Sequence, residues 1–169
     1  MLKMKHLILY QFLSLLFIPA FASNIPREFL ITDYGAKGDG ETDNTAIIQE
    51  LADKASVSGG VLVIPAGKFL INGSILLKDG VSIKGLNPAP RSWIPLTGSI
   101  ILATGNRDNE TGQALFEMRN STSVTGITVF YPEQSVDDIH SYPWTFHIGS
   151  YYPDSTVFDC TIENVTLIN

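Results

Sequence analysis

The chain has 169 residues, 44% of them hydrophobic, and 11 basic against 17 acidic side chains give it a net charge of −6. That composition supports a packed core, and the acidic balance argues against a nucleic-acid or anionic-membrane partner. Cys160 has no second cysteine to pair with, which excludes an intramolecular disulfide and a thiolate metal cluster; set in Val157-Phe158-Asp159-Cys160-Thr161-Ile162, it reads as a small core hydrophobe.

Met1 to Ala22 reads as a secretory signal peptide. Lys3 and Lys5 form a positive start, Leu7 to Ile18 is mostly apolar, and Ala20-Phe21-Ala22 is a small-x-small cleavage site. Gln11, Ser14 and Pro19 interrupt the apolar run, which falls short of the roughly 20 residues a membrane span needs. The expected mature chain therefore begins at Ser23, lies outside the membrane, and is extracellular, or periplasmic in a bacterium. Two of the 11 basic residues leave with the leader, so nine face 17 acidic ones, a net charge of −8.

Asn24 to Glu28 reads as an irregular lead-in, and Phe29 to Thr32 as a first strand. Next comes Asp33-Tyr34-Gly35-Ala36-Lys37-Gly38-Asp39-Gly40-Glu41-Thr42-Asp43, with three glycines and three aspartates in 11 residues. Glycine admits positive φ and aspartate bonds its own backbone, so this is expected to be a tight loop rather than a strand. The glycine spacing is not a nucleotide-binding fingerprint, and Asp39, Glu41 and Asp43 lack the twelve-residue Ca²⁺-loop pattern. These acids read as loop and cap residues.

Asp43 or Asn44 is expected to cap a helix. Ala46, Ile47, Leu51 and Ala55, with Ile48 and Ala52 beside them, form a stripe at helical spacing. The helix stops at Ser58-Gly59-Gly60. From there strand and turn alternate: Val61–Ile64, a turn at Pro65-Ala66-Gly67, Lys68–Ile71, Asn72-Gly73, Ser74–Leu77, Asp79-Gly80, then Val81–Gly85.

Asp-Tyr-Gly-Ala-Lys-Gly-Asp-Gly-x-Thr-Asp-Asn-Thr, a helix carrying Gln49, Gly-Gly-Val-Leu-Val-Ile-Pro-Ala-Gly-Lys-Phe and Gly80-Val-Ser-Ile-Lys-Gly85 together resemble the start of the pectate-lyase-like β-helix proteins. The rhamnogalacturonase/epimerase-like pectate lyase domain is the nearest group, over about Ile31 to Gly85. The resemblance implies an all-β fold, a right-handed single-stranded parallel β-helix with an N-terminal capping α-helix at residues 44–57. The cap would plug the first coil as terminal repeats cap solenoids. The resemblance also implies a secreted carbohydrate-active protein: part of a polysaccharide lyase or glycoside hydrolase acting on pectic or related polysaccharide, or else a non-catalytic glycan-binding or structural β-helix. No position matches a catalytic motif of either enzyme class, so no catalytic residue is assigned. No cofactor is evident; Ca²⁺ bridging an acidic polysaccharide is left open.

Pro88, Pro90 and Pro95 make Leu86 to Gly98 an excursion from the wall. Ser99–Thr104 and Ala114–Met118 read as strands on either side of a polar loop. Val124-Thr125-Gly126-Ile127-Thr128-Val129 then aligns with Ile162-Glu163-Asn164-Val165-Thr166-Leu167, two copies of one coil unit. Tyr131 to Ser155 between them reads as a long loop. It gathers aromatic rings, carboxylates and His140 and His147. Sugar rings stack on aromatic faces, so Tyr131, Glu133 and Trp144 are the expected substrate contacts. Glu133, Asp137 or Asp138 could serve as acid or base, and Asp137, Asp138 and His140 could hold a metal, although the adopted reading has none. The competing reading is that Tyr142, Trp144 and Phe146 pack the loop on the wall. The aliphatic and Asn pattern at Thr166-Leu167-Ile168-Asn169 introduces a further coil. Residues 23–169 are thus expected to be the N-terminal part of a longer β-helix, with end-to-end self-association as the alternative way to cover the open coil.

Overall fold

A computed structural model describes residues 27–86, 96–149 and 156–168. The expected leader, residues 1–22, and the proline-rich residues 87–95 lie outside them. The chain winds in coils. The first coil holds β1 (Arg27–Leu30), a short 3₁₀ turn, β2 (Asp39–Asp43) and α1 (Thr45–Ala55). The second holds β3 (Gly60–Val63), β4 (Gly67–Ile71) and β5 (Ile75–Leu77), and the third β6 (Val81–Lys84), β7 (Ser99–Ala103) and β8 (Phe116–Met118). The fourth holds β9 (Ser123–Thr125), β10 (Thr128–Phe130) and β11 (Phe146–Ile148), followed by β12 (Thr161–Glu163) and β13 (Thr166–Ile168). Strands stack in three sheets, β1-β3-β6-β9-β12, β2-β4-β7-β10-β13 and β5-β8-β11, every pairing parallel. This is the right-handed parallel β-helix, in which a sheet closes around its own core and one helix has no large face to cover.

Successive coils put the same inward position one above the next, so the core is built of columns. Phe29, Leu62, Ile83, Val124 and Ile162 are register neighbours on the first sheet. Phe69, Ile101, Val129 and Leu167 form the column on the second. On the third, Ile75, Phe116 and Phe146 align, and the Phe116 and Phe146 rings stack at 5.5 Å and 14°. Most members are fully buried; the last ones, Ile162 and Leu167, are 41% and 54% exposed because no described coil covers them.

α1 takes the place of a strand beside β5 in the preceding coil. Ile48, Leu51, Ala52 and Ala55 turn inward, while Ala46, expected in the stripe, is exposed. The edge of β5 is closed by a side chain: Gln49 Oε1 accepts from the Leu76 N–H at 2.8 Å and Gln49 Nε2 donates to the Leu76 carbonyl at 3.2 Å. One amide thus replaces the missing ladder. The glycine–aspartate segment departs from expectation in part, since Asp39–Asp43 is an irregular strand paired with β4. Tertiary pairing overrides weak local strand preference there. Asp39 retains turn chemistry within it, accepting from the Glu41 and Thr42 N–H groups and the Thr42 hydroxyl, which holds its carboxyl down at about 2.

Asn44 sits at the N-cap position but does not cap; Asp43 instead accepts from the Thr45 N–H at 2.9 Å. Asn44 is fully buried, and its amide joins three segments. Oδ1 accepts from the Lys37 N–H at 2.8 Å, and Nδ2 donates to the carbonyls of Thr42, Lys37 and Leu70 at 2.7, 3.0 and 3.4 Å.

The corners repeat as the columns do. Gly59, Gly80, Ser121 and Asp159 precede aligned strands and all have positive φ. At the next corner Gly126 and Asn164 hold φ of 69° and 52°, in the register expected from the repeat. Gly126 also abuts Gly85 of the coil above: a Cβ on Gly126 would lie 2.5 Å from the Gly85 carbonyl oxygen. Cys160 packs against the core, with its thiol 3.0 Å from the Arg119 carbonyl.

Candidate functional site

Two loops leave the same corner on consecutive coils. One joins β7 to β8 and the other joins β10 to β11; since β10 pairs with β7 and β11 with β8, the second loop lies beside the first. The Asp108 N–H donates to the Ser141 carbonyl at 2.8 Å across the gap. The second loop is shorter than expected, because Phe146–Ile148 is a strand of the third sheet. Phe146 accordingly packs on the core, as the packing reading required.

Where the loops meet, charges cluster. His140 Nδ1 faces Asp108 Oδ1 at 2.8 Å, and its Nε2 faces Asp138 Oδ2 at 3.1 Å and the Arg107 guanidinium. Arg107 also approaches Glu133 Oε2 at 3.5 Å and Asp138 Oδ2 at 3.8 Å. The Tyr142 hydroxyl donates to Glu133 Oε2 at 3.3 Å, and Gln134 Oε1 accepts from the His140 N–H at 2.6 Å. The Asp108 carboxylate, then Asp138, raise the imidazole pKa above its ordinary value, against desolvation and the Arg107 charge. Burial raises the Tyr131 phenol pKa, and burial followed by the Glu133 charge raises that of Tyr142, so both remain hydrogen-bond donors at neutral pH.

Beside the cluster lies an open cleft of about 430 Å³, lined by Tyr131, Gln134, His140, Tyr142, Pro143 and Thr145 with Leu167 and Ile168 of β13. Tyr131 and Tyr142 meet at 4.8 Å between ring centroids and 58° between planes, and the Tyr131 hydroxyl is 2.7 Å from Thr145 Oγ1. The cleft offers ring surface, two hydroxyls, an amide and an imidazole.

Of the three expected contacts, Tyr131 lines this cleft and Glu133 adjoins it through Tyr142 and Arg107. Trp144 is 76% exposed and borders an adjoining narrow crevice that shares Tyr131, Tyr142 and Pro143 with the cleft. His147 lies on β11, its Nδ1 2.6 Å from Oε2 of the buried Glu117 on β8. No group of three His, Cys, Asp or Glu side chains among the described residues is arranged to hold a metal. Arg107 and Asp108 were missed by sequence reading, which saw only a polar loop; the signal available was that both loops follow equivalent strands one coil apart.

The closed three-sheet coil and its corner loops define the chain as a parallel β-helix. The family model for rhamnogalacturonase A/epimerase, pectate lyase-like proteins matches residues 29–132, and the chain belongs to that family. The A-module of mannuronan C-5 epimerase AlgE4 from Azotobacter vinelandii shares the fold, with a TM-score of 0.56 at 22% identity over 81% of this chain and 37% of that one. Among curated proteins, alginate lyase 7 of Azotobacter vinelandii is 40% identical over 57 residues, 33% of this chain and 7% of that protein. The exo-poly-α-D-galacturonosidase of Dickeya chrysanthemi is 42% identical over 65 residues, 38% of this chain and 10% of that protein. The probable rhamnogalacturonase E of Aspergillus niger is 28% identical over 149 residues, 82% of this chain and 28% of that protein. The chain thus spans less than a third of the length of these three curated relatives.

Proposed function

We propose that these coils form part of a secreted polysaccharide lyase or glycoside hydrolase, and that the cleft between Tyr131 and Tyr142 holds a sugar residue of a pectic or related acidic polysaccharide. The observation that supports this is the pair of tyrosines walling a cleft whose polar groups, Gln134, His140 and Thr145, converge from one loop. The apolar C–H face of a pyranose stacks on an aromatic ring, and hydroxyls bond to amide and hydroxyl groups placed around it. His140 lines the cleft with Arg107 beside it, and both face carboxylates of Asp108, Asp138 and Glu133 with which a uronate carboxylate would compete. Neutralising that carboxylate makes the adjacent C–H more acidic, which is what a lyase requires, while Glu133 supplies a carboxylate within reach of a phenol proton. Trp144, exposed further along the same loop, offers a second ring face to a longer oligosaccharide.

The test is binding of the purified protein to a panel of pectic, alginate and β-glucan polysaccharides, with Tyr142→Ala and Trp144→Ala beside it. An aromatic contact of about 0.5–1.5 kcal/mol predicts an affinity loss of roughly 2- to 10-fold for each variant. Trp144→Ala should leave the melting temperature unchanged, because the ring is exposed. No binding to any acidic polysaccharide, or unchanged affinity in both variants, would refute the assignment. Binding without turnover would favour the glycan-binding alternative.

A further inference from the structure

A second cleft lies at the other end of the coil stack. It has a volume of about 400 Å³ and is lined by Arg27 and Phe29 of β1, Tyr34 of the 3₁₀ turn, Lys54 of the last turn of α1, and Val57 and Ser58 beyond it. The chain as a whole is acidic, yet this lining contains two cations and no carboxylate. Each cation rests on a ring: the Arg27 guanidinium lies 5.2 Å from the Phe29 centroid, and Lys54 Nζ 5.5 Å from the Tyr34 centroid. A ring face positions a cation without neutralising it, so the charge remains available to an anion. Lys54 also pairs with Glu50 at 2.7 Å, but both side chains are at least half exposed, and such a pair is readily exchanged for another carboxylate.

The apolar parts of the cleft differ in their access to solvent. Phe29 is buried and forms the floor, whereas Tyr34 is 42% exposed and Val57 85% exposed. The Phe29 and Tyr34 rings meet at 5.9 Å and 50°, which fixes Tyr34 at the rim. An exposed ring and an exposed aliphatic side chain, flanked by two cations held over aromatic faces, match a ligand with an apolar face and a carboxylate.

We propose that this cleft is a second carbohydrate site, which takes a uronate residue with its carboxylate between Arg27 and Lys54 and its C–H face against Tyr34 and Val57. The choice of an acidic sugar rests on the proposed function, while the placement of the cations stands on its own. Four strand spacings separate β1 from β12 on the first sheet, so the two clefts lie roughly 19 Å apart along the coil axis. A polysaccharide held at this end would remain tethered while another segment of it occupies the tyrosine cleft, and linked sites raise the effective local concentration of the chain.

The test is a titration of ¹⁵N-labelled protein with trigalacturonate and, separately, with neutral cellotriose. The expected result is that the amide signals of Tyr34, Lys54 and Ser58 shift with trigalacturonate and far less with cellotriose. Arg27→Ala/Lys54→Ala should lower that affinity by about tenfold with the melting temperature retained, as expected for the loss of two exposed charge contacts. The charge-retaining Lys54→Arg should bind as the parent does, which separates loss of charge from loss of packing. Shifts confined to the Tyr131–Tyr142 cleft would overturn this site and leave the proposed function standing; shifts confined to Tyr34, Lys54 and Ser58 would do the reverse. Equal response to both sugars, or unchanged affinity in the double alanine variant, would also overturn it.

Discussion

Replacing Asn44 tests whether one buried amide holds the first coil together. The side chain is fully buried and bonded to three separate segments: the Lys37 loop, Thr42 of β2 and Leu70 of β4. Asn44→Ala removes three short hydrogen bonds and leaves the part-buried Lys37 N–H and Thr42 carbonyl without that partner. At about 1 kcal/mol net for each bond, the loss is about 3 kcal/mol. For a domain of this size, each kcal/mol moves the melting temperature by roughly 2–4 °C, so a fall of about 6–12 °C is expected. Asn44→Asp keeps the shape but replaces the donor with an oxygen facing three carbonyls, so at neutral pH it should destabilise at least as much as alanine. The buried aspartate has a raised pKa in the folded state, so that state binds more protons, and stability should recover in part as pH falls. Calorimetric melting of the parent and both variants at neutral and mildly acidic pH reads these effects. A shift below about 2 °C for Asn44→Ala, or no pH response in Asn44→Asp, would show that water replaces the amide and that the coil is held elsewhere.

Gly126→Ala should destabilise by about 2–4 kcal/mol, because it adds left-handed strain to a Cβ placed 2.5 Å from the Gly85 carbonyl oxygen. Gly80→Ala, with similar φ but 3.7 Å of clearance, should cost about 1–2 kcal/mol; equal effects in denaturant titrations would refute the crowding argument. His140 should titrate above the ordinary histidine value of about 6.5. A pKa raised on folding contributes stability below the unfolded value and loses it as pH rises through the folded one. The contact between the two corner loops should therefore loosen on the alkaline side, seen as a lower protection of the Asp108 amide relative to its intrinsic exchange rate at each pH, and His140→Gln should abolish that change in protection. Titration of the His140 ring below about 6.5 would contradict this.

Much of the fold was legible because a β-helix writes its geometry locally. Alternating aliphatic residues set which side chains face inward, and glycine or asparagine marks a corner that needs positive φ; both are properties of a few neighbouring residues. The alignment of Val124–Val129 with Ile162–Leu167 therefore gave the pairing register itself, with Gly126 above Asn164. The helical stripe of α1 was legible for the same reason. Segments whose structure depends on a partner were not. Asp39–Asp43 has turn composition and becomes a strand because β4 offers it a ladder. Phe146–Ile148 lay hidden in a loop until β8 drew it into the third sheet. Asn44 looked like a cap and is a buried tie among segments that local sequence does not bring together. The candidate site divides along the same line. Tyr131, Glu133 and the aromatic character of the loop were plain in the sequence, but Arg107 and Asp108 join His140 only because coils stack, which brings residues more than thirty positions apart into hydrogen-bonding distance. Tertiary structure also decided that Trp144 borders a narrower crevice beside the tyrosine cleft and that Arg27 and Lys54, from a strand and a helix, share one cleft at the opposite end. Local patterning fixes which way each residue faces; the stacking of coils decides which residues meet.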